Sequence, residues 1–75
     1  MLGDELRKAR EAAGMTQERL AFAANIDRSY ISQLENGHKS PTVDVLFLLC
    51  DALEVAPSDI LARVEKSRQT KPKKE

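Results

Sequence analysis

The chain of 75 residues holds one domain and no more, with too small a core to be stable by more than a few kcal/mol unless it pairs with another chain. One cysteine, Cys50, excludes an internal disulfide and suits a reducing cytoplasm; with one histidine, His38, it cannot assemble a metal site, and no apolar run reaches the roughly 20 residues that span a membrane. Formal net charge is zero, but residues 67–75 are net +3 and residues 1–66 net −3, so the body lacks the strong basic excess first sought in a nucleic-acid binder.

The pattern predicts five helices and no strand, an all-α fold. Leu2, Leu6, Ala9 and Ala13 recur at helical spacing, and Gly14 stops a first helix over 2–13. Thr16 is a good N-cap for a second helix that runs to Ala24. Asn25 stands where a left-handed residue is wanted, and asparagine tolerates that conformation. Asp27 caps a third helix that ends at Asn36, before Gly37. A polar loop, 38–40, leads to Pro41. Thr42 caps a fourth helix over 43–53. Pro57 opens a fifth at its favoured first position, with Ile60, Leu61 and Val64 as an apolar face that fades near Lys66. Residues 67–75 contain no apolar side chain and read as an unstructured basic tail, so the domain is expected to span 1–66.

Two short helices joined by a tight turn, the second polar on one face, describe a helix-turn-helix at helices two and three. Ala21 must be small where the two helices cross. Leu20, Ile26, Ile31 and Leu34 fix their angle, which lets the second helix of the pair enter a major groove. Tyr30, Ile31 and Leu34 are expected to face the core, while Arg28, Ser29, Ser32, Gln33 and Asn36 face out. The stretch TQERLAFAANIDRSYISQLENGHKSPT, with Gln17, Ala21, Asn25, Ile31, Glu35, Gly37 and Pro41 in register, resembles the phage-repressor-like (Cro-like, XRE-type) helix-turn-helix family. PTVDVLFLLCDALEV resembles that family's fourth helix, and the likeness covers residues 3–65. Asn25 departs from it, since the family more often has glycine there.

The resemblance implies a lambda-repressor-like five-helix domain that binds double-stranded DNA and regulates transcription. Positions matching Arg28, Ser29, Ser32 and Gln33 commonly read bases in the family. Arg28 suits guanine O6/N7 and Gln33 suits adenine N6/N7. Gln17, in the first turn of helix two, can hold a phosphate through its amide and backbone N–H groups. Asn36, Lys39 and Ser40 follow the recognition helix and would meet the sugar–phosphate backbone. Glu35 resembles the family acid that pairs with an arginine on the first helix, here Arg10. The bland reading of a polar helix face is solvation, and it is the turn architecture that favours contact. Cys50 reads as a small buried apolar residue and His38 as a solvated loop residue. No catalytic constellation, cofactor signature or small-molecule ligand site is evident.

Helix four is more apolar than this fold requires. At about 100° per residue, Val43, Leu46, Phe47, Leu49, Cys50 and Leu53 form one arc, read as core. Val45, Leu48 and Ala52 form a second, read as a homodimer interface with Ile60 or Val64 of helix five. A dimer would also offset the sparse cations by doubling the contacts to a pseudo-palindromic operator. The expected function is a repressor or autoregulating controller. The alternative is a protein-interaction module or antitoxin-type partner on the same fold.

Overall fold

A computed structural model of the chain describes residues 1–68. Five α-helices follow in order: α1 Leu2–Ala12, α2 Gln17–Ala24, α3 Arg28–Glu35, α4 Val43–Leu53 and α5 Pro57–Arg68. No strand occurs among the described residues. The helix starts match the caps read from the sequence. Thr16 Oγ1 accepts the Arg19 N–H at 3.0 Å, and Thr42 Oγ1 accepts the Val45 N–H at 3.1 Å. Asp27 holds the N-cap position of α3 but makes no cap bond; its carboxylate accepts the Ser29 hydroxyl at 2.9 Å instead. Three boundaries move. α1 ends at Ala12 and α3 at Glu35, each one residue early, while α5 runs through Ser67 and Arg68, two residues past the expected start of the tail. The rest of that tail, with Lys71, Lys73 and Lys74, lies outside the described residues.

The core joins all five helices. Leu6 and Ala9 of α1 meet Leu20, Ala21 and Ala24 of α2, Ile31 and Leu34 of α3, Leu46, Leu49, Cys50 and Leu53 of α4, and Ile60 of α5. Tyr30 and Ile26 pack on its edge. Cys50 is wholly buried, and that burial pushes its thiol above the ordinary value, with Asp51 adding to the effect. Gly3 sits where α1 crosses the end of α3, and a Cβ there would collide with the Leu34 carbonyl oxygen.

Two expectations for α4 and α5 are corrected. The arcs of α4 divide differently: Val43 and Phe47, read as core, are exposed, while Val45 and Ala52, read as the outer arc, pack half-buried on the core. Leu48 alone of that arc stays exposed. The centre of the buried face lies among Leu46, Leu49, Cys50 and Leu53, which turns the outer face toward Asp44 and Asp51. Ile60 is 0% exposed, so it offers no surface to a partner; its place is inside the chain's own core. Val64 is half-buried, and Leu61 is exposed at 48%.

Candidate nucleic-acid interface

The site starts from the turn between α2 and α3. Asn25 ends α2 in the left-handed region, φ 58° and ψ 47°. The next N–H, from Ile26, reaches back to the Ala21 carbonyl at 2.9 Å. Ala21 is buried and has no side chain beyond Cβ, so α3 can approach α2 closely. Leu20, Ala24, Ile31 and Leu34 are buried about that crossing. The turn thus fixes α3 with a definite face outward.

That face carries the residues singled out from the sequence. Arg28, Ser29, Gln33 and Asn36 are exposed, and Ser32 is half-buried. They occupy one arc of roughly 140° at the helical period. Lys39 and Ser40 are exposed in the loop that follows, beside His38. Some of the polar groups are already engaged. Ser29 donates to Asp27, and Asn36 Nδ2 donates to Ser32 Oγ at 3.4 Å. Both are surface contacts, the first to a carboxylate and the second between neutral groups, and each can exchange for a base edge or phosphate.

Beneath the arc lies a polar network. Arg10 donates from Nε to Glu35 Oε2 at 2.7 Å and from Nη2 to Glu35 Oε1 at 3.1 Å. Its Nη1 donates to the Met15 carbonyl at 2.7 Å. The two side chains are 11% and 3% exposed, so this is the buried pair that the resemblance implies. The Glu35 hydrogen bond holds the Arg10 guanidinium above its ordinary pKa. The pair ties α1 to α3, and α1 thereby sets the tilt of the recognition helix.

Gln17 departs from expectation. Its Nε2 donates to Glu35 Oε1 at 3.0 Å, so the amide expected at a phosphate turns inward. Its Oε1 faces Arg28, whose Nη1 lies at 3.5 Å. Arg28 Nε lies 4.0 Å from Glu18 Oε2. A chain of contacts therefore runs from buried Arg10 and Glu35 through Gln17 to exposed Arg28 and Glu18. Sequence reading missed Glu18 because nothing in residue type or spacing links the first turn of α2 to the first residue of α3. Among the described residues, no group of His, Cys, Asp or Glu could hold a metal, and no helix is long and apolar enough to cross a membrane.

Comparison with known proteins agrees with this geometry. Residues 6–60 match the family model described as helix-turn-helix. The chain is 34% identical over 61 residues to the transcriptional regulator ClgR of Mycobacterium tuberculosis, covering 81% of this chain and 54% of that protein. It thus spans about half the length of that curated relative. The structure of the clp gene regulator ClgR from C. glutamicum superposes with a TM-score of 0.87 at 33% identity, covering 93% of this chain and 91% of that one. The restriction-modification controller protein C.AhdI from Aeromonas hydrophila superposes with a TM-score of 0.76 at 36% identity, covering 79% and 89%. The chain belongs to the helix-turn-helix family of XRE-type regulators.

Proposed function

We propose that this helix-turn-helix protein is a sequence-specific regulator that binds double-stranded DNA as a homodimer, as a repressor or autoregulating controller in the cytoplasm. One observation carries the reading: a tight left-handed turn at Asn25 fixes α3 so that Arg28, Ser29, Ser32 and Gln33 share an outward face. Such a helix enters the major groove while its partner crosses the backbone. In that pose Arg28 reads guanine and Gln33 reads adenine, and Ser29 and Ser32 serve base edges or phosphates. Gln17 contributes its backbone N–H at the start of α2, its amide being held by Glu35. Asn36, Lys39 and Ser40 meet phosphates beyond the groove. Nothing in this scheme needs a cofactor or small-molecule ligand. The names of the relatives, regulators and a controller, support the same role.

The dimer surface is proposed on Leu48, flanked by half-buried Val45 and Ala52; Val64 instead lines a cleft with Leu2, Leu34 and Pro41, and Ile60 has no part in it. The domain body is net −3 over residues 1–66, so one copy has few cations to set against phosphate. Two copies on one axis double the contacts.

The test is selection of bound sequences from a random duplex pool, followed by a gel shift on the winning site. A pseudo-palindromic consensus, with a shifted band that survives excess nonspecific competitor, is expected. No enrichment and no band at any salt would leave the protein-interaction reading, which one feature favours: Phe22 is 87% exposed on the outer side of α2, where major-groove docking gives it no role.

A further inference from the structure

We infer that Glu18 is a specificity-determining residue, which braces Arg28 and tunes it to read a base in preference to a phosphate. The inference rests on the DNA-binding reading above and adds a residue to which that reading gave no role.

The geometry is that of a cation held from two sides. Glu18 Oε2 lies 4.0 Å from Arg28 Nε, and Gln17 Oε1 lies 3.5 Å from Arg28 Nη1. Gln17 is itself anchored by buried Glu35, at 3.0 Å, so that side of the brace is fixed to the core. Glu18 stands in the first turn of α2, next to Gln17 in the chain, with its backbone set by the Thr16 cap. An arginine has five N–H donors. The 4.0 Å ion pair takes up no N–H, and the 3.5 Å contact engages Nη1 alone, so Nη2 and the second Nη1 hydrogen remain for guanine O6 and N7.

Charge then decides what that open edge prefers. A guanidinium paired with a carboxylate keeps its charge, but the pair together presents less net positive charge to a phosphate. Attraction to a phosphate is charge on charge and falls sharply with that loss. Hydrogen bonds to guanine are charge on dipole and depend more on direction, which the brace supplies. Glu18 is also an anion in its own right, facing the polyanion from the helix that crosses the backbone. On a cognate site Arg28 keeps Glu18 and gains guanine. On any other site the same pairing withholds a cation that would otherwise turn to the nearest phosphate. The pair is exposed, 53% and 80%, and adds little to folding. Its effect falls on discrimination, where fixed like-charge placement rejects the wrong partner.

The test is Glu18→Gln in the full chain, which keeps the shape and removes the charge. Affinity is measured on the selected site and on a scrambled duplex, each over a range of salt. On scrambled DNA the variant should bind about threefold to fivefold tighter, and its salt slope should steepen by about one phosphate equivalent. On the selected site the change should stay within about twofold, so the specificity ratio falls. In an Arg28→Ala background the same substitution should leave the ratio unchanged, because the group being tuned is gone. Equal gains on both duplexes would reduce Glu18 to a general repelling charge, and no change on either would make the pair incidental; both overturn the inference. Wild-type protein that enriches no sequence would sink the DNA-binding reading itself, a distinct result.

Discussion

Arg28 and Arg10 show how differently one residue type acts at two depths. Arg28 is exposed, and its worth is set by what it meets outside the protein. Arg28→Ala should weaken binding to the selected site by about 1–3 kcal/mol and relax preference at one base pair. Equal losses on selected and scrambled duplexes would make it a phosphate contact. Arg10 is buried, and its worth is set by Glu35. Arg10→Met keeps most of the volume but strands a carboxylate that is 3% exposed. Removing one member of a buried pair costs about 3–5 kcal/mol, and Gln17 Nε2, still donating to Glu35, holds the loss toward the lower end. A thermal melt should fall by more than about 10 °C; a shift of a degree or two would mean that water or a proton takes over Arg10's place. The Arg10–Glu35 pair was legible from the family resemblance. The inward turn of Gln17 was not, because residue type states which bonds an amide can make and not which acceptor wins.

The helices themselves were legible wherever a local rule marked them. Thr16, Thr42 and Pro57 opened α2, α4 and α5, and Gly14 and Gly37 follow α1 and α3 with positive φ, 72° and 78°. Asn25 took the left-handed turn expected of it. The end of α4 carries a feature no rule announced: Glu54 is left-handed, φ 59° and ψ 41°, where a side chain gains nothing and costs strain. Relief of that strain, about 1–2 kcal/mol, outweighs the extra entropy of an unfolded glycine, about 0.5–1 kcal/mol. Glu54→Gly should therefore stabilise the domain by about 0.5–1 kcal/mol. Chemical denaturation checks this, and a loss of stability would mean that the Glu54 side chain makes a contact worth more than its backbone strain. The faces of α4 were divided wrongly for a different reason. Nine of its eleven residues are apolar, so periodicity alone does not choose which arc points inward. Packing against α2 and α5 makes that choice, and those contacts are absent from any local window.

At the scale of the whole molecule, charge and apolar surface point to the same partner. An acidic body with one arginine on its reading face binds DNA weakly as a single copy. The same body leaves Leu48 exposed at 48%, with half-buried Val45 and Ala52 beside it on α4. A domain of this size gains by covering such a surface with a second copy, since its own core is small. A two-fold axis there would set two α3 helices on one side of a duplex, with half-sites about 10–10.5 bp apart or a multiple of that. Leu48→Glu places a charge in the contact, at a cost of several kcal/mol unless the contact opens. The variant should sediment as a monomer, keep its helical circular dichroism, and lose most of its affinity for the full site while holding that for a half-site. Retained dimerisation would move the interface elsewhere on the surface, toward Phe22, or toward Val43 and Phe47, which are exposed at 70% and 51%. Unfolding would mean that Leu48 supports the core from its edge, and the charge would then have destabilised one chain and not a pair.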